Sequence, residues 1–369
     1  MSDVVEARRP IEAASKLGIF DSDIHPTPKS SSEIRRFLPA KWHDHFDHYG
    51  SFTRKPFASA HSFPRAIREL SRRDAWPPSG GPPGSDLAFM QEHHLNPHNV
   101  ECGVLQVLSP SGTKLRHPGF GAAMCSAVND WQVEAWTSRE RRLKGSIVLP
   151  QEDARASVQE IDRLGKMEDF CQIFLSPRGD EPLGRPRYWP IYEAAEALDL
   201  AVAFHVGGEN GFAVTGSGHP SFFFEQRESH VPAAEAVITS LILEGVVERF
   251  PKLRIITVEA GGIGWVPALG WRLDHAWKRM GAEVPHVKQP PSDYLKRSFW
   301  FTSQPVDEPE DPDHLRHVFD WIGWGKILFA TDYPHWDFDD PKYAIKFAMS
   351  ASEKQMFFRD NARIAYGTV

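Results

Sequence analysis

Eight short, nearly continuous apolar runs, each separated from the next by polar or amphipathic stretches, restrict this chain's fold more than any other feature. They lie at residues 19–25, 102–109, 144–150, 170–176, 200–206, 253–260, 299–303 and 327–332. Runs without polar alternation suit strands covered on both faces, as in a parallel sheet. Helical patterns fall between them, at 127–142, 154–164, 190–198, 233–250, 265–280 and 312–322, with a terminal helix near 352–366. The alternation predicts an α/β protein, a (β/α)8 barrel of the TIM type. A doubly wound open sheet would carry a glycine-rich phosphate turn after its first strand, and the segment from Asp23 to Pro28 has none.

The first connection departs from the pattern. Residues 26–100 far exceed an ordinary strand-to-helix loop and include His43, His45 and His48, then the breaker run from Trp76 to Gly84. An insertion there lies at the carboxyl ends of the strands, where a lid or a subunit contact would form. The expected organisation is an extension over 1–18 and one domain over 19–369, with the insertion at about 26–100.

Composition narrows the function classes. The formal charge is −7 with 42 Lys+Arg and no long basic block, which argues against a nucleic-acid partner. Cys102, Cys125 and Cys171 sit in apolar segments without a CxxC pair, as in a reduced compartment. No run approaches the roughly 20 apolar residues of a membrane span, and residues 1–16 lack a signal-peptide core. A cytoplasmic protein acting on a small molecule, away from membranes, is expected.

In such a barrel, side chains at the carboxyl ends of the strands share one mouth. That mouth receives Asp23 and His25 from the first strand, His205 from the fifth, Glu259 from the sixth and Asp332 from the eighth. Asp23 and His25 are two apart, so they share a strand face and can chelate one ion. Two imidazoles with carboxylates suit one divalent metal ion, Zn2+ or Mn2+. Singly, each of these could instead be a hydrogen-bonded core group. His335 could contact substrate, orient Asp332 or sit on the turn surface.

Three motifs carry a family resemblance that spans nearly the whole chain. They are Asp21-x-Asp23-x-His25, Phe204-His205-Val206-Gly207-Gly208 and Thr331-Asp332-Tyr333-Pro334-His335. The chain resembles the amidohydrolase-related metal-dependent barrel enzymes, in the branch with aminocarboxymuconate-semialdehyde decarboxylase and γ-resorcylate decarboxylase. The resemblance implies that Asp23, His25, His205 and Asp332 hold one divalent cation. It also implies paired barrels, and so a homodimer.

Three departures matter. Asp23 stands where the family often has histidine. The fourth strand ends in Phe174-Leu175-Ser176-Pro177 without the lysine that bridges two metals in binuclear relatives, so one metal is expected. Glu259 stands where decarboxylating relatives commonly place a histidine.

Catalytic work is therefore assigned to Asp332, Glu259 and His335. Arg178, clustered with Arg185 and Arg187, could fork a substrate carboxylate, although the cluster also reads as a solvated loop. Trp336, with Trp265, Trp271 and Trp300, could wall an apolar pocket, although most such rings pack as core. The favoured reading is a hydrolase in which metal-activated water attacks a carbonyl. The alternative is a non-oxidative decarboxylase (carboxy-lyase) using the same ligands, and a third reading is a metal-free binding or scaffold barrel.

Overall fold

The structure, a computed structural model, describes residues 17–50, 68–113, 115–205, 218 and 220–367. Expectations for residues 1–16, for Val206 to Gly208 and for 51–67 lie outside the described residues.

All eight anticipated strands form: β1 (Ile19–Ile24), β2 (Val100–Leu105), β3 (Leu143–Val148), β4 (Phe170–Leu175), β5 (Ala201–His205), β6 (Ile255–Val258), β7 (Phe299–Thr302) and β8 (Ile327–Leu328). They are parallel and paired in sequence order. β8 itself is two residues long, and its continuation closes the ring onto β1. Ser22 N–H donates to Phe329 O at 3.0 Å, and His25 N–H donates to Tyr333 O at 2.7 Å. This is a (β/α)8 barrel.

Burial on both strand faces is what the unbroken apolar runs encode. One core fills the space between strands and outer helices, through residues such as Ile147, Leu175, Ile191, Ile238 and Phe319. A smaller one fills the lumen floor, where Phe20, Val104, Ala201, Ile256 and Leu328 meet Ala362, Ala365 and Tyr366 of the terminal helix Asn361–Tyr366. Phe20 and Tyr366 stack there at 5.3 Å. The amino-terminal end of the barrel is thus plugged, leaving the carboxyl ends of the strands as the mouth.

The helices Ala154–Leu164 and Pro312–Ile322 run as the pattern predicts, started by the Asp153 and Asp311 side chains. The helix expected at 127–142 instead begins at Pro118 and passes after Gln132 into a π turn, Val133–Thr137. Its start is marked by His117, whose side chain accepts the Phe120 N–H, and histidine is a cap that propensity does not flag. The helix expected at 233–250 breaks into His230–Leu243 and Val246–Arg249 around Gly245, whose φ of 81° is left-handed. Helix Pro291–Ser298 was not anticipated.

The insertion folds back against the mouth. Thr27 N–H donates to Gly84 O at 2.9 Å, Arg72 N–H to Pro334 O at 3.0 Å and Trp336 N–H to Leu70 O at 2.8 Å. The first bond closes the insertion on itself beside His25, and the other two fix it to the β8 turn.

Candidate metal centre

The alternation along β1 is interrupted. Asp21 pairs with Gly103 and Ile24 with Leu105, so three steps on β1 match two on β2. This bulge aims Asp21 away from the mouth and Asp23 into it. Without it, both acids would share one face.

His25 follows on the mouth side. Its Nδ1 is 2.9 Å from the Gln106 carbonyl oxygen, which can only accept, so Nδ1 carries the proton. In the neutral ring, Nε2 then presents a lone pair, yet it lies 3.1 Å from Asp23 Oδ1 and 2.8 Å from Asp332 Oδ1. His205 Nε2, brought from β5, is 3.5 Å from Asp23 Oδ2 and 3.3 Å from Glu259 Oε2. One ligand atom from each of Asp23, His25, His205 and Glu259 lies within 4.8 Å of all the others. Asp332 joins through two overlapping groups, with His25 and His335 and with Glu259 and Asp337.

Asp23 and Asp332 are fully buried and Glu259 nearly so. Such a collection of carboxylates is costly without a compensating cation. Burial disfavours the imidazolium of His25, but Asp23 and Asp332 outweigh it and hold its pKa well above the ordinary value. Burial, reinforced by the Asp332 charge, pushes Glu259 up. Burial raises Asp332 as well, with Asp337 adding to it and His25 opposing.

A divalent ion resolves the conflict. Both Asp23 oxygens and His25 Nε2 lack a hydrogen-bond donor. The separations of 2.8–3.5 Å between neighbouring atoms of Asp23, His25, His205, Glu259 and Asp332 match the edges of a tetrahedral or octahedral polyhedron with bonds of about 2.0–2.2 Å, which measure about 2.8–3.6 Å. The donor set fits the group.

Surrounding residues fix these side chains. His335 Nδ1–H donates to Asp332 Oδ1 at 2.5 Å, and its ring lies 4.4 Å from that of His25. Gln304 Nε2 donates to Asp332 Oδ2 at 3.1 Å. Asp332 and Glu259 have left-handed backbones, φ 61° and 49°, a conformation uncommon outside glycine and often kept at functional sites. Thr302 Oγ1 accepts the Glu259 N–H at 3.1 Å.

The rim holds Arg227, Trp336 and Asp337. Arg227 pairs with Asp337, stands 4.0 Å from Glu259 Oε1 and lies 5.2 Å above the Trp336 ring. Sequence reasoning missed Asp337, although it stands only five residues beyond Asp332, and nothing in the sequence singled out Arg227, Gln304 or Gln106. Arg178 opens on the same end of the barrel and reaches Ser229 Oγ at 3.2 Å. Arg185 and Arg187 are spent on Glu181, Glu244 and Glu152 at the surface. Two tryptophans lie away from the mouth. Trp300 packs under Lys326, which enters β8 from the floor, and Trp271 is exposed on an outer helix against Trp321.

Among the described residues, no helix is long and apolar enough to cross a membrane. Comparison with known proteins agrees with the barrel fold. The chain is 25% identical over 245 residues to the 2-amino-3-carboxymuconate-6-semialdehyde decarboxylase of Dictyostelium discoideum. That match covers 65% of this chain and 64% of the relative, just under two thirds of its length. The fold superposes on 5-carboxyvanillate decarboxylase from Novosphingobium aromaticivorans, complexed with manganese and 4-hydroxy-3-methoxy-5-nitrobenzoic acid, with TM-score 0.72 and 15% identity, covering 96% of this chain and 97% of that one. It also superposes on dihydroxybenzoic acid decarboxylase from Polaromonas sp. JS666, with bound manganese and the inhibitor 2-nitroresorcinol, with TM-score 0.64 and 19% identity, covering 95% and 97%. The Amidohydrolase family model matches residues 20–368, and the chain therefore belongs to the amidohydrolase family.

Proposed function

We propose that the protein is a metal-dependent, non-oxidative decarboxylase of a small aromatic carboxylic acid. The observation that carries the reading is the buried cluster in the mouth, where ligand atoms of Asp23, His25, His205 and Glu259 lie within 4.8 Å of one another and Asp332 Oδ1 lies 2.8 Å from His25 Nε2. The likeness to three decarboxylases, two of them with manganese, supports decarboxylation over the hydrolysis favoured from sequence alone.

Asp23, His25, His205 and Asp332 would hold the ion, manganese or zinc. When bound, it polarises substrate oxygens and offsets the negative charge of the mouth. Decarboxylation breaks a C–C bond, leaves its electrons on the substrate carbon, and consumes one proton there. Glu259, at the end of β6 beside His205, is placed to hand over that proton. His335 holds Asp332 in its orientation. Arg227 is the cation at the rim, and Trp336, 40% exposed, offers a flat wall for an aromatic ring. Arg178 is a more distant carboxylate partner.

Hydrolysis stays the second reading for one reason: the Glu259 carboxylate, in the same place, could accept a proton from water. Manganese-loaded protein given hydroxylated benzoates should release CO2 and the decarboxylated phenol, and His25→Ala should abolish this. Acid or amine release from lactones or amides, with no CO2 from any carboxylate, would reverse the order of the two readings.

A further inference from the structure

His94 belongs to the insertion, on a single π turn (Gln91–Leu95), and is fully buried. Its Nε2 lies 2.8 Å from Asp21 Oδ2. The same oxygen accepts Thr331 Oγ1–H at 2.6 Å, while Oδ1 accepts the backbone N–H of Thr331 at 2.9 Å and of Asp23 at 3.3 Å. One carboxylate therefore grips β1 next to Asp23 and the β8 continuation next to Asp332. The His94 ring also lies flat on Tyr333, with centroids 4.5 Å apart and planes at 11°. Tyr333 is the residue after Asp332, whose left-handed backbone has to be held by its surroundings.

Resting on the metal-dependent reading above, we infer that His94 is a positioning residue of the metal centre. By donating to Asp21, it fixes the carboxylate that sets the spacing between Asp23 and Asp332. The insertion is thus a working part of the site as well as a cover. Neither His94 nor Asp21 reaches the mouth. The bulge in β1 turns Asp21 outward, so the pair acts only through the two strands it ties together.

Two substitutions separate the hydrogen bond from the ring contact. His94→Phe keeps a ring against Tyr333 and removes the donor; His94→Gln keeps a donor and removes the ring. Mn2+ affinity, measured by chelator competition, should fall about 10- to 100-fold in His94→Phe and stay within about threefold in His94→Gln. The spectrum of bound Mn2+ in electron paramagnetic resonance should change in the first and persist in the second. Parental affinity and spectrum in His94→Phe would overturn the inference, as would equal weakening in both variants, which would make His94 a packing residue only. If His94→Phe fails to fold, Thr331→Val removes the other side-chain donor to the same oxygen. It should weaken Mn2+ binding likewise, and parental affinity there would also refute the role. A parent protein that binds neither Mn2+ nor Zn2+ would defeat the metal-dependent reading itself, and this inference with it.

Discussion

Asp23, His25, His205, Glu259 and Asp332 stood out because each is a polar group at the end of an apolar run, where burial is expensive unless a partner compensates. The same reasoning could not find Arg227 or Gln304, which come from loops whose course no periodicity sets. Nor did it assign Asp21, whose partners Thr331 and His94 lie far off in sequence. Another local carboxylate yields a prediction. Glu140 accepts both Arg142 Nε at 3.0 Å and Nη2 at 2.7 Å, and Gln91 Nε2 at 2.7 Å, on the same turn as His94. The Arg142 hydrogen bonds, against the opposing effect of burial, lower its pKa from 4.5 to about 2. A depressed carboxylate stabilises the folded state above its unfolded value, and that contribution is lost as pH falls through the folded value. Glu140→Gln should therefore cost about 1–2 kcal/mol at pH 7, discounted because Arg142 is partly exposed. The gap from the parent should shrink between pH 5 and pH 2 in urea unfolding.

Among the elements, strands were easier to read than helices. A strand buried on both faces leaves a short apolar run whatever its neighbours are, whereas helix ends depend on caps such as His117 and breaks such as Gly245. The bulge in β1 was not legible, because one extra residue changes which face an acid occupies without changing composition. The insertion's folding was equally hidden, although its breaker run was plain. Gly84 shows how tightly it is docked: its φ is 77°, and a Cβ there would lie 2.2 Å from the His25 carbonyl oxygen. Backbone cannot yield as a side-chain tip does. Gly84→Ala should cost about 1–3 kcal/mol of stability in chemical denaturation, and it should weaken divalent-metal binding because the displaced residue is His25.

At the scale of the whole molecule, buried carboxylates and imidazoles couple the site to folding. An ion that binds only the folded barrel stabilises it by mass action, about 2.7 kcal/mol at 100 times Kd. For a chain of 369 residues that corresponds to a rise of roughly 3–4 °C in Tm. Calorimetry of chelator-treated protein with and without Mn2+ should show this rise, and His25→Ala should remove most of it. An unchanged Tm at saturating Mn2+ and Zn2+ would contradict the ligand assignment.

By itself the sequence determined the eightfold alternation, the barrel and the residue types at its mouth, because burial and periodicity are written locally. The tertiary structure alone decided that Asp21 turns outward to His94, that Arg227 and Asp337 share the rim and that the insertion clamps β1 to β8. Those outcomes depend on the register of strand pairing and on where loops land, and both are settled only when residues distant in the chain meet.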